Sequence, residues 1–177
     1  MRPHCVLLDR DGVINRDSDA YIRSVDDWEP LPGSLAAIAR LTRAGIAVAV
    51  CTNQSARARG LISAADLTAI HQRMTATIEA AGGHLAGIFV CPHGPADDCD
   101  CRKPAPGLLQ HALEALDCRA DAAVFIGDSR RDLDAARRAG VTPWLVRTGN
   151  GRETEIDPGG PVPVHDDLAA AVEALLA

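Results

Sequence analysis

The chain has 177 residues, with 24 Asp and Glu against 18 Lys and Arg and a formal net charge of −6. That acidic balance, with aromatic residues at 3%, argues against a general nucleic-acid binder, which needs a basic face and rings to stack on bases. At 47% hydrophobic the chain can bury a core, while no apolar run reaches the roughly 20 residues of a membrane span and no secretory signal pattern opens it, so one cytoplasmic domain over residues 1–177 is expected.

Cys5–Leu8 is apolar throughout and reads as a buried strand running into Asp9-Arg10-Asp11-Gly12. Pro32-Gly33 opens a helix carrying Leu35, Ile38 and Leu41, and Gly45 stops it. Residues 46–51 form a second apolar strand. Ser63-x-x-Asp66 has the form of a capping box, and Leu67, Ile70, Met74 and Ile78 follow on one helical face. Gly82-Gly83 ends that helix, and 85–90 is a third strand. Leu108, Leu109, Ala112, Leu113 and Leu116 mark a helix. A fourth strand over 122–126 leads to Gly127-Asp128. Leu133 and Ala136 give a short helix before Gly140, residues 144–146 a fifth strand, 149–164 a loop rich in Gly and Pro, and Leu168, Val172, Leu175 and Leu176 a last helix.

Strands alternating with helices imply βαβ units, hence an α/β fold with a parallel sheet and helices on both faces. In such sheets ligands bind beyond the carboxyl ends of the strands. The polar clusters all follow strands: Asp9 and Asp11, then Thr52-Asn53-Gln54-Ser55, then Cys91-Pro92-His93, then Asp128.

Asp9-x-Asp11 can be an ordinary turn, since Asp bonds its own backbone there. With Asp128 it can also be a reactive centre. One carboxylate attacks phosphorus to form an aspartyl-phosphate, and the second moves protons. Two anions and an anionic ester repel, so such a site needs Mg²⁺, with Asp9, Asp11 and Asp128 as its protein ligands. The Thr52 hydroxyl suits a phosphate oxygen, although an ordinary turn would use it equally well. Lys103 is the only lysine in the chain and supplies a point charge for a transferring phosphoryl group. Cys91, His93, Cys99 and Cys101 fall within eleven residues and match a closed tetrahedral Cys₃His set for structural Zn²⁺. Cys5, Cys51 and Cys118 read as small core residues. His71 and His111 read as packing or surface residues on helices. Arg130, Arg131, Arg137 and Arg138 read as an exposed helix face.

Asp9-Arg10-Asp11-Gly12-Val13, Thr52-Asn53-Gln54-Ser55, Arg102-Lys103-Pro104 and Gly127-Asp128-x-x-x-Asp132 together resemble the four motifs of haloacid-dehalogenase (HAD) type phosphatases. The similarity runs from about residue 5 to 150. The zinc loop, the TNQS run and Asn15 are similar to a branch that acts on sugar bisphosphates, a loop it shares with histidinol-phosphate phosphatases. The resemblance implies a Rossmann-like HAD fold without a cap domain. It implies Asp9 as nucleophile, Asp11 as acid and base, and Thr52 and Lys103 on the phosphoryl group. Mg²⁺ would sit on Asp9, Asp128 and the Asp11 carbonyl, with Asp132 behind them. Arg102 would reach the distant phosphate or sugar, and Asp17, Ser18, Asp19, Ala20, Asn53, Gln54 and Ser55 would line the substrate pocket. The expected enzyme is a monomer acting on a small phosphorylated sugar in the making of nucleotide-activated heptose for lipopolysaccharide, without nucleic-acid or membrane partners. Two departures stand out. Only five residues separate His93 from Cys99, and Ser129 stands where some relatives carry Lys. A histidinol-phosphate phosphatase, a DNA 3′-phosphatase and an inactive zinc-stabilised binding module are the competing expectations.

Overall fold

The computed structural model describes residues 2–177. Six parallel strands form one sheet in the order β3-β2-β1-β4-β5-β6. They are β1 Cys5–Leu8, β2 Ala47–Asn53, β3 Gly87–Cys91, β4 Ala123–Gly127, β5 Thr142–Val146 and β6 Val164–His165. The helices are α1 Ser34–Arg43, α2 Ala64–Ala80, α3 Gly107–Ala115, α4 Arg130–Ala139, α5 Gly151–Thr154 and α6 Leu168–Leu176.

The period-two alternation of a strand divides the core into two layers. Val6, Leu8, Val48, Val50, Val124 and Ile126 point to one face, where Ile38 and Leu41 of α1, Ile70 and Met74 of α2 and Val172 of α6 cover them. Cys5, Leu7, Ala49, Cys51, Ala123 and Phe125 point to the other, under Leu108 and Ala112 of α3 and Ala135 and Ala136 of α4. Leu8 lies opposite both Val50 and Ile126, so the central strands are apolar on both faces. Fully burying each such side chain contributes roughly 1.5–3 kcal/mol, enough to fix the register on both sides of β1. Asp66 caps α2 in reciprocal bonds with Ser63, as its spacing implies.

The segment expected to be a loop over 149–164 holds the short helix α5 and leads into the edge strand β6. A two-residue strand is too short to show a period of two, and sequence periodicity cannot find it. The second strand also runs past residue 51 to Asn53, which puts Thr52 and Asn53 within the ladder. Among the described residues no helix is long and apolar enough to cross a membrane, and no separate cap domain stands over the sheet edge.

Chain order reverses between β1 and β4, whose crossovers leave in opposite directions. That divergence opens a crevice beyond the carboxyl ends of these strands. Asp9 leaves β1 into it and Asp128 leaves β4 into it.

Candidate active site

A pocket of about 370 Å³ occupies this crevice. Asp9, Asp11, Asp128 and Lys103 line its floor, with Asp17, Ser18 and Asp19 on one wall and Asn53, Gln54, Ser55 and Arg102 on another. Carboxylate oxygens of Asp9, Asp128 and Asp132 lie within 4.8 Å of one another.

Lys103 Nζ is buried and divides its protons between Asp9 Oδ1 at 2.9 Å and Asp132 Oδ1 at 2.7 Å, with the Phe125 ring 5.2 Å away. Burial works against its charge, but the two carboxylates more than offset that and raise its pKa. Asn53 holds the lysine's backbone. Its amide donates to the Lys103 carbonyl at 3.0 Å, and its oxygen accepts from the Lys103 N–H at 3.0 Å. Asp132 is the N3 residue of α4. Its Oδ2 accepts from the N–H groups of Asp128 and Ser129 and from the Ser129 hydroxyl, and with Lys103 this holds it ionised against its burial.

Asp9 and Asp128 have fewer compensations. Burial and the Asp132 charge push Asp9 up to about 7, although Lys103 opposes the shift. Burial, then Asp132 and Asp9, raise Asp128 well above the usual carboxylate range, against the 2.8 Å bond its Oδ2 accepts from the Asn150 N–H. Gly12 and Gly149 make room for this carboxylate. Both have positive φ, and a Cβ on either would collide with Asp128 Oδ2.

Asp11 sits in the opposite field. Arg10 is fully buried and grips it with Nε on Oδ1 at 2.9 Å and Nη2 on Oδ2 at 3.1 Å, while Asn15 and Gln54 amides each donate at 2.9 Å. Burial would raise its pKa, but the Arg10 charge and these donors hold it below the ordinary value. Arg10 Nη1 is 3.1 Å from His71 Nε2 on α2, and a guanidinium can only donate, so neutral His71 accepts. Burial and the Arg10 charge push His71 down to about 4.

The donor set fits a hard divalent cation. Three carboxylates cluster, only Asp9 and Asp132 share the ammonium, and the two that lack full compensation, Asp9 and Asp128, face the pocket. The Cys/His quartet expected to hold zinc also assembles. His93 Nδ1 is 3.3 Å from Cys101 Sγ and 3.5 Å from Cys91 Sγ, and Cys91 Sγ is 3.2 Å from Cys101 Sγ and 4.0 Å from Cys99 Sγ. Thiolates around tetrahedral Zn²⁺ stand about 3.8 Å apart, so the four ligand atoms fit that ion. The His93 carbonyl accepts from Arg102 Nη1 at 3.3 Å, which ties the quartet to the pocket wall.

Comparison with known proteins settles the family. A HAD-hydrolase-like family model matches residues 100–171. The D-glycero-beta-D-manno-heptose-1,7-bisphosphate 7-phosphatase of Bordetella bronchiseptica is 51% identical over 97% of both chains. This chain belongs to the heptose-bisphosphate phosphatase family. The enzyme of the same name from Pseudomonas aeruginosa is 49% identical over 97% of each chain, and that of Escherichia coli K12 is 38% identical over 81% of this chain and 79% of its own. The crystal structure of the B. bronchiseptica D,D-heptose 1,7-bisphosphate phosphatase with magnesium and phosphate superposes with a TM-score of 0.95 at 50% identity, covering 99% of this chain and 98% of that one.

Two residues named from the sequence fall off the pocket wall. Thr52 is buried at the end of β2, its Oγ1 accepting from Gln54 Nε2 at 2.9 Å. Ala20 lies to the side, its carbonyl taking a bond from Arg23. Other residues escaped the sequence reading. Arg131, exposed on α4 as expected, also lines the pocket, and Arg59, Tyr21 and Asn150 line it too. Asn150 follows β5, so the rule that found the other clusters at strand ends would have found it. His71 carried no signal, because its partner is 61 residues away.

Proposed function

We propose that this chain is a magnesium-dependent phosphatase that removes the 7-phosphate of D-glycero-β-D-manno-heptose 1,7-bisphosphate. The observation that carries the reading is the cluster of Asp9, Asp128 and Asp132, two of them paired with Lys103, at the floor of a pocket that Arg59, Arg102 and Arg131 also line. One anion of a bisphosphate suits the floor and the second suits these arginines. A cationic amine such as histidinol phosphate would meet three guanidiniums instead. The chain is read as one domain over 1–177, monomeric and cytoplasmic, supplying an intermediate for lipopolysaccharide heptose.

Asp9 is the nucleophile. Its Oδ1 is occupied by Lys103 Nζ and the Arg10 N–H, whereas Oδ2 accepts no hydrogen bond among the described residues and is free to attack phosphorus. Attack forms the Asp9–phosphorus bond and breaks the ester bond to the sugar oxygen, which takes a proton from Asp11. Asp11 then accepts a proton from the water that attacks phosphorus, releasing phosphate and Asp9. Arg10, Asn15 and Gln54 favour Asp11 as a carboxylate, the form the second half-reaction needs. The arriving phosphoryl dianion raises its proton affinity for the first half. Asp9, Asp128 and the Asp11 carbonyl would hold Mg²⁺, which supplies positive charge for the phosphoryl oxygens. Asp132 and Asn53 hold Lys103 toward them, and Thr52 steadies Gln54. Asp17, Ser18, Asp19 and Ser55 meet the sugar. Cys91, His93, Cys99 and Cys101 would hold structural Zn²⁺ and so set the position of Arg102.

The test is phosphate release measured side by side on heptose 1,7-bisphosphate and histidinol phosphate with Mg²⁺. The bisphosphate is expected to have the higher kcat/KM, and D9N is expected to lower it by at least about 10³-fold. A higher kcat/KM on histidinol phosphate overturns the substrate, and retained activity in D9N overturns the nucleophile.

A further inference from the structure

The opposite edge of the sheet holds a pair of sulfurs that the phosphatase chemistry does not use. Cys5 begins β1, four residues before Asp9 and at the far end of the strand from the pocket. Cys118 follows α3 on the way to β4. Although 113 residues apart in sequence, the two Sγ atoms lie 2.8 Å from each other. Cys5 is 1% exposed, whereas Cys118 is half-buried and open to a reagent from solvent. Of the remaining cysteines, Cys51 is fully buried within the sheet, and Cys91, Cys99 and Cys101 belong to the zinc quartet.

We propose that Cys5 and Cys118 are a site of reversible oxidation, closed to a disulfide by a small-molecule disulfide of the glutathione class. The accessible Cys118 thiolate attacks one sulfur of the oxidant, forming a mixed disulfide and releasing one small thiolate. Cys5, giving its proton to that thiolate, then attacks Cys118 Sγ and releases the second. The two protein thiols lose two electrons and two protons, and the oxidant becomes two thiols. Burial and the neighbouring Cys118 thiol raise the pKa of Cys5, so the second step is the slower one and quickens as the solution is made alkaline.

The bond ties the first strand of the sheet to the connection between α3 and β4. Because both sulfurs lie at the strand edge remote from the pocket, closure acts as a staple and leaves catalysis alone. A cross-link over so long a stretch of chain restricts the unfolded state strongly, and an increase in Tm on the order of 10 °C is expected.

The experiment treats full-length protein, loaded with zinc and magnesium, with oxidised glutathione. Intact mass, peptide mapping, melting temperature and phosphatase activity are then read. The expected result is loss of two hydrogens, a mapped Cys5–Cys118 peptide pair, retained zinc, the higher Tm and activity within about twofold, all reversed by a reducing thiol. C118S is expected to fold and turn over normally and to show none of the oxidant-induced rise. C5A with wild-type Cys118 should stop at the mixed disulfide. No cross-link, a stable glutathione adduct on wild-type Cys118, or a bond that forms instead within the zinc quartet overturns the proposal.

Discussion

Asp9 and Asp11 are two residues apart on one backbone yet lie in opposite electrostatic regions. Around Asp9, two carboxylates share the single ammonium of Lys103 while a third, Asp128, stands beside them without it, and burial drives the pKa values of Asp9 and Asp128 up. Around Asp11, one carboxylate meets one guanidinium, two amide donors and a neutral histidine, and its pKa falls. The first region is short of positive charge and the second is balanced. A chain that needs a divalent cation and an anionic ester on one side of a strand end builds the deficit there, and keeps the proton-transfer group beside it in a field of its own.

The largest break in this contrast comes from Lys103. K103M leaves Asp9 and Asp132 without their shared partner, and kcat/KM on the bisphosphate is expected to fall by about 10³-fold. Breaking a buried pair from one side typically costs about 3–5 kcal/mol. Urea unfolding of K103M without added metal should show a loss of that order, and Mg²⁺ should restore part of it by supplying the missing charge. Equal stability of K103M and wild type without Mg²⁺ would show that the carboxylates are neutral and that the deficit is not real.

A smaller break comes from the zinc quartet, which touches neither carboxylate but holds the pocket wall through the His93–Arg102 bond. Stripping zinc with a zinc-selective chelator while Mg²⁺ is kept in excess should lower Tm by about 10 °C or more, because the loop has no secondary structure of its own. Partial activity measured below the new Tm should show KM raised several-fold, about tenfold at most, with kcat nearly kept, since Arg102 addresses the far end of the substrate. An unmoved melting curve would remove the structural role from the quartet, and a fall in kcat alone would remove the link to Arg102.

Much of this arrangement is legible in the sequence, because both signals behind it are local. Apolar runs such as Cys5–Leu8 announce strands, and polar residues directly after them announce a ligand edge. The Cys-x-His and Cys-x-Cys pairs announce their quartet by spacing alone. What escapes the sequence is contact across distance. Arg10 stands between two aspartates in the sequence and is fully buried, because its charge is matched by Asp11 and its third donor by His71 on α2. Thr52 looks like a phosphate ligand, and at the end of β2 its hydroxyl is bonded by the Gln54 amide that also reaches Asp11, a link that spacing does not announce. Arg131 reads as one of four helix-surface arginines. Arg130 and Arg137 do pair with Asp134 on the outer face, while the first turn of α4 brings Arg131 to the pocket.

The gentlest way to sharpen the contrast is His71, which touches the balanced region only through Arg10. H71L removes the acceptor of Arg10 Nη1 and frees the guanidinium to turn, so kcat should fall about threefold to tenfold with KM unchanged, and H71Q, which keeps an acceptor, should recover most of it. His71 is driven down to about 4 in the folded protein, from an ordinary value of 6.5. Between those values the unfolded chain binds a proton that the folded one refuses, so this histidine's share of stability is whole above pH 6.5 and is lost as pH falls toward 4. The difference in unfolding free energy between wild type and H71Q should therefore change with pH across that window, by on the order of 1 kcal/mol per pH unit at its steepest, and stay flat above it. If both proteins lose stability in parallel from neutral pH downward, His71 titrates normally and Arg10 is not held by a neutral ring.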